Sequence, residues 1–174
     1  MSDMNVSLSG GIYSHATAVT DAAANKIADY EGDAGCNFTS THVEWRGQSL
    51  FIQDSVMIEF GVTINIASML LIDDTLGTLW GITACSGTFT KEAAPAQATQ
   101  YEFTTTYTAL PTNEYLISTT RSSDSKKFQV WLAAGKITGE FPMSFTQSQY
   151  MVHDISLIGY PDAANKIVSF IKEI

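Results

Sequence analysis

From residue 38 onward the apolar residues of this chain recur at every second position, and that spacing constrains its fold more than any other feature. A period of two is that of a strand with one face buried and one wet. Val43 and Trp45 alternate with Glu44 and Arg46, and Gly47-Gln48-Ser49 follows as a turn. Val56, Ile58, Phe60 and Val62 share one face of a longer strand, and Tyr101, Phe103, Thr105 and Tyr107 repeat the pattern. Tyr115, Ile117 and Thr119 lead into the polar stretch Ser122-Ser123-Asp124-Ser125, and Phe128, Val130 and Leu132 lead out of it. Two alternating runs around a short polar tip predict a hairpin. Ile137, Phe141, Met143 and Phe145 mark another strand, in which Pro142 implies an edge or a bulge. Met151, Ile155 and Leu157 mark the next.

Two stretches depart from alternation. Ile66, Ala67, Leu70 and Leu71 have helical spacing, which predicts a helix from about Ile64 to Leu71, with a buried strand as the competing assignment. At the C-terminus Ile167, Phe170, Ile171 and Ile174 fit a helix over 162–174 capped by Asp162 after Pro161, while Val168 and its neighbours are good strand formers. Residues 1–37 are small and polar, and Asp21 to Ile27 reads as a short helix start capped by Thr20 or Asp21, or as a turn. Residues 86–98 read as a long exposed loop. The expected fold is mainly β, a two-sheet sandwich or open barrel with one or two short helices, formed by residues 1–174 as a single domain.

Charge narrows the partners. The 174 residues carry 9 basic and 18 acidic side chains, a net charge of −9. Gripping a nucleic acid requires a basic face that displaces counterions from phosphates, and this composition cannot supply one. The apolar fraction of 45 % supports a real core and argues against global disorder. The first twenty residues lack the basic start and apolar core of a signal peptide. The apolar run from Val56 to Ile72 is interrupted by Glu59 and Asn65 and fits buried elements better than a membrane span. Cys36 and Cys85 are too few for a disulfide framework and are read as buried free thiols. The patterns Asn5-Val6-Ser7 and Asn37-Phe38-Thr39 match the glycosylation acceptor by chance in a chain without a secretion signal.

Searches for chemistry return fragments. No phosphate-cradling glycine loop and no nucleophile elbow is present, since Gly135-Lys136 lacks the flanking residues of the former. Ser123-Asp124-Ser125-Lys126 fits S-x-x-K but sits at a predicted hairpin tip, where nothing would desolvate the lysine. His42-Val43-Glu44 fits the H-x-E of zinc deaminases without the paired cysteines that complete that metal shell. His15, His42 and His153 are scattered, a triad through His153 and Asp154 has no motif behind it, and Asp73-Asp74 reads as an element reaching solvent. The expectation is a non-enzyme with no catalytic, cofactor-binding or metal-binding residues and no cofactor.

The order of segments carries a resemblance. VEWRGQ at 43–48 leads into VMIEFGVTINIASMLLIDDTLGTLWGI at 56–82; paired strands around YEFTTTYTAL and EYLISTT follow; KFQVWLAAGKITGEFPMSF at 127–145 then leads to MVHDISLIGYPD at 151–162. Over about residues 40–174 this layout resembles the major tail tube proteins of long-tailed bacteriophages. In that family a strand runs into a short apolar helix ending near a Leu-Gly, here Leu76-Gly77, and a later strand has the type of Lys136 to Phe141. The resemblance implies a β-sandwich with a flanking helix, self-assembly into stacked six-membered rings, and contacts with other tail proteins. It also implies a virion location after assembly in the host cytoplasm, no membrane, and DNA only as passing cargo. An acidic channel would then let phosphates slide without sticking. Glu59 beside Met57 and Glu102 beside Thr104 are candidates for that wall. The alternatives are a head decoration or connector protein of similar build, a ligand-binding β-barrel with an apolar cavity, and an enzyme with an unrecognised site.

On this reading the 86–98 loop packs against the next ring. Deleting residues 90–97 is expected to leave a folded monomer that no longer elongates. Long tubes of the deletion variant in negative-stain micrographs would show that the loop is not the stacking element.

Overall fold

The computed structural model describes residues 9–45, 54–71, 79–80, 84–88, 97–101, 110–121, 123–138, 143–145 and 150–174. Its strands are β1 (Ser9–His15), β2 (Lys26–Trp45), β3 (Asp54–Leu71), β4 (Ala84–Thr88), β5 (Gln97–Tyr101), β6 (Asn113–Thr120), β7 (Lys127–Thr138), β8 (Met143–Phe145), β9 (Tyr150–Tyr160) and β10 (Val168–Lys172). The chain is therefore mainly β. Among the described residues, helical backbone is confined to a 3-10 turn at Ala23–Asn25 and to Leu79 and Trp80.

Six strands close a barrel. β6, β1, β2, β3 and β9 pair in that order, β6 also pairs with β7, and β7 pairs with β9 to complete the ring, all antiparallel. β10 takes over from β9 along the same edge of β7, with Val168 opposite Leu132 and Lys172 opposite Phe128. β8 in turn takes over from β7 along β9. β4 and β5 form a separate two-stranded sheet. The described strands thus make one closed barrel with added strands.

Alternation sets the inward face. Ile12, Tyr30, Val62, Ile64, Ile66, Tyr115, Ile117, Leu132, Ile137, Ile155 and Leu157 are all buried, and they converge on one core. Tyr115 is fully buried because it lies over Gly135, where a Cβ would stand 2.7 Å from its ring. Outside the barrel, residues 16–25 are strapped to β6 and β7. The Glu114 carboxylate accepts bonds from the Val19 N–H at 3.1 Å and from the Trp131 indole at 3.2 Å, and Lys127 pairs with Asp21 at 2.5 Å. The strap covers the outward-facing Leu116 and Ser118, which explains why Tyr115 to Ser118 are buried without alternation.

Several expectations need correction. The helix read over Ile64–Leu71 is strand: β3 continues to Leu71. The cause is a bulge opposite it, where β2 shifts register between Glu31 and Ala34 around Gly32, whose φ is +81°. The inward residues of β3 are even-numbered up to Ile66, and the next is Met69. A phase slip of one residue in a strand imitates a helical period. The C-terminus resolves as strand β10, with Asp162 Oδ1 accepting from the Ala164 and Lys166 N–H groups in a turn before it. At 21–27 a 3-10 turn forms with neither Thr20 nor Asp21 as its cap. Asn25 Nδ2 instead bonds Thr20 Oγ1 at 2.9 Å. The 86–98 loop narrows, because β4 runs to Thr88 and β5 starts at Gln97; residues 89–96 lie outside the described residues, as do Asp73, Asp74, Leu76, Gly77 and residues 102–109. The run from Ile137 to Phe145 belongs to two strands, β7 and β8. The hairpin at 115–132 forms as expected, with Arg121 and Asp124 ion-paired at its tip and Ser125 at φ +58°.

Gly135→Ala should lower stability by about 1–3 kcal/mol, since the added methyl must displace a buried ring in a packed core. Gly35→Ala is the control, because a Cβ there meets nothing within 4 Å. Urea denaturation of both variants checks this; equal midpoints would contradict the packing account.

Candidate assembly surface

The two longest strands overshoot the barrel. β2 has 20 residues, yet β1 covers only its first part, to Glu31. β3 has 18, yet β9 covers only Val62 to Leu70. Their remainder, 34–45 of β2 and 54–61 of β3, runs on from the barrel as a two-stranded ribbon. Among the described residues, no strand pairs with the outer edge of β2 beyond Glu31 or with that of β3 before Val62. From Asn37 to Trp45 the ribbon extends about 30 Å at the usual rise per residue. Phe38, Val43, Met57 and Phe60 on it are exposed. Lysine and proline, the residues that usually blunt an open edge, are missing from both of its strands between 34 and 45 and between 54 and 61.

One face of this ribbon continues the barrel interior. Phe38 lies opposite the buried Val62, so alternation puts Phe38, Ser40 and His42 on the inward face, with Phe60 and Met57 as their cross-strand neighbours. On the far side of the opening, Phe128 and Phe170 continue the inward faces of β7 and β10. The rings form a row: Phe60 stacks on Phe38 with centroids 5.9 Å apart, Phe38 meets Phe170 at 5.7 Å, and Phe170 stacks on Phe128 at 6.2 Å. Each ring is still between 40 and 49 % exposed. The closed barrel therefore ends in an aromatic mouth, with the ribbon as one wall and β7 with β10 as the other.

The fragments of chemistry do not converge. His42 lies on the ribbon and bonds Ser40 at 3.1 Å. Glu44, two residues on, shares its face. His15 ends β1, and its Nδ1 accepts the N–H groups of Thr17 and Ala18. His153 belongs to β9. Among the described residues no three metal-ligating side chains come together. Lys126 of the S-x-x-K fragment sits at the hairpin tip, where Asp124 is held by Arg121 and its pKa is lowered by that bond. Two surface clefts stand out. One, of about 430 Å³, is lined by Gly35, Asn65, Ile66, Ala67, Asp154 and Ser156. Its Ser156 hydroxyl bonds Asn65 Oδ1 at 2.7 Å, and Asp154 adopts φ +54°. The other, of about 410 Å³, lies beneath the strap, where Glu114 and Gln129 are taken up in holding it. Cys36 is a free thiol facing the core, and burial pushes its pKa up, away from reactivity. Among the described residues no helix is long and apolar enough to cross a membrane.

No protein-family model matches the chain, and no curated protein matches its sequence. The ribbon and mouth escaped sequence reasoning because alternation reports that a strand has two faces and not whether a neighbour covers them. The one available signal was the pairing of two very long strands either side of Gly47-Gln48-Ser49.

Burial pushes the Tyr115 phenol up to about 12, an effect that Asn113 and Ser14 offset only in part. A neutral phenol that ionises more easily when unfolded gives stability that is intact below pH 10 and is lost as pH rises towards 12. Tyr115→Phe should flatten the alkaline loss between those limits, as read by thermal melts from pH 8 to 12; an unchanged profile would place the loss elsewhere.

Proposed function

We propose that this chain is a structural subunit that assembles with its own copies, of the kind that builds a bacteriophage tail tube. The observation that carries the reading is the ribbon, neither edge of which meets a partner strand among the described residues. A two-stranded hairpin is marginal in water on its own, and this one is long and carries neither lysine nor proline. Strand addition by a neighbour supplies the missing hydrogen bonds, and repeated around an axis it turns an aggregation hazard into a ring. The segment order described above supports the more specific tail-tube reading, as does the acidic composition, which suits a wall that DNA passes without adhering. In a tube of stacked hexamers the partners are further copies and other tail proteins, DNA is cargo, and the location is the virion. The sandwich of that family stays part of the proposal; a joined sheet from neighbouring ribbons and barrels would supply its second layer.

A decoration or connector subunit shares the assembly argument and differs in the particle formed. A ligand-binding barrel draws no support from the interior, which is filled by Ile12, Ile64, Tyr115, Leu132 and their neighbours.

Sedimentation velocity at rising concentration should show rings or longer particles. Asn37→Lys with Thr41→Lys, two exposed positions on the outward face of β2, should leave a folded protein that stays monomeric. A wild-type chain that is monomeric at every concentration overturns the reading, and a double variant that assembles normally removes the β2 edge from it.

A further inference from the structure

The strap over β6 and β7 is held by hydrogen-bond acceptors, and the one nearest β1 is an imidazole. His15 Nδ1 accepts the Thr17 N–H at 3.2 Å and the Ala18 N–H at 3.1 Å. A ring nitrogen that accepts N–H groups carries no proton, so the imidazole is neutral, with its proton on Nε2. The next N–H, that of Val19, is taken by the Glu114 carboxylate at 3.1 Å. Further along, Asp21 Oδ2 accepts from Lys127 Nζ at 2.5 Å and from Gln129 Nε2 at 3.3 Å, and Asn25 Nδ2 ties back to Thr20 Oγ1 at 2.9 Å. Residues 17–19 thus hang from His15 and Glu114, and residues 20–25 from Asp21 and Asn25. Val19 shares its cleft with Leu116 and Trp131, and Leu116 is only 4 % exposed although it faces outward.

We infer that residues 16–19 form an acid-released cover: protonation of His15 frees them, residues 20–25 stay as the hinge, and Leu116 and Trp131 are uncovered. Histidine is the side chain that changes charge in mildly acidic water. A proton on Nδ1 would set one N–H against the two of Thr17 and Ala18, and both bonds would break. The imidazolium so formed stands opposite Glu114 in the β1–β6 register, where it competes with the Val19 N–H for that carboxylate. The other charges around His15 are engaged: Lys26, at the start of β2, pairs with Asp29 at 2.6 Å, and Asp21 pairs with Lys127. The hydrogen bond from Lys127 holds the Asp21 carboxyl below the usual carboxylate range. Its tie is therefore present above that range and is lost only as pH falls below it, which leaves the hinge intact where an imidazole titrates. The cover operates within a single copy, whether or not copies assemble.

Amide hydrogen exchange of the full chain tests it, read by mass spectrometry and corrected for the intrinsic pH dependence of exchange. Between about pH 7.5 and about pH 5, protection across residues 16–20 should fall by at least about tenfold in the wild type, while that of β6 holds. His15→Asn keeps a side-chain oxygen that accepts from the same turn and does not titrate, so its strap should stay protected at both pH values. His15→Ala removes the acceptor and should leave the strap as open at the higher pH as the wild type is at the lower. Four results would overturn the inference. They are equal wild-type protection at the two pH values, a loss shared by β6, a loss in His15→Asn as large as that of the wild type, and a His15→Ala strap as protected as the wild type at the higher pH.

Discussion

A mismatch of strand lengths governs this molecule. A barrel needs its strands to be about as long as the contact each makes with its neighbours, and β1, β6 and β9 offer 7, 8 and 11 residues. β2 and β3 offer 20 and 18. The closing pair, β7 with β9, fixes where the ring ends, at Ala134 opposite Tyr160. Everything beyond that level must find another partner. β7 is carried further by β10, which arrives through the turn at Asp162. Among the described residues, β2 and β3 receive nothing beyond Val62 except each other. The ribbon, the mouth and the open edges are consequences of one geometric fact.

The strand content of the fold was legible from residue 38 onward because half-burial writes a period of two into the sequence. It was illegible wherever that period slipped or both faces were covered. The slip between Ile66 and Met69 is the clearest case: a bulge on the neighbouring strand moved the inward phase by one, and the residues Ile66, Ala67, Leu70 and Leu71 then matched a helix. β6 failed differently, since Leu116 and Ser118 are hidden by a strap whose sequence, from Ala16 to Asn25, has no periodicity to announce it. Closure of the barrel was not legible at all. It depends on the pairing of β7 with β9 and of β1 with β6, contacts between residues far apart in the chain that local pattern does not encode.

The candidate site was legible only in its charge. A net charge of −9 excluded a nucleic-acid grip, and the concentration of that charge in the first half of the chain foreshadowed an acidic element. Phe38, Phe60, Phe128 and Phe170 gave no warning, because a phenylalanine on an alternating strand predicts burial equally well whether its cover is the same chain or another. That ambiguity has a physical root. The hydrophobic effect rewards removal of apolar area from water and is indifferent to which molecule removes it.

The same indifference bears on how copies of the chain would stay apart until they assemble as proposed. Four half-exposed phenylalanines and two open edges would ordinarily invite indiscriminate association. Two features oppose this. Phe38 and Phe170 already touch, so part of the mouth is satisfied within one copy and the gain from closing it with a stranger is reduced. The surplus of negative charge repels copies in most orientations. Salt would screen that repulsion, so association of copies should rise with ionic strength.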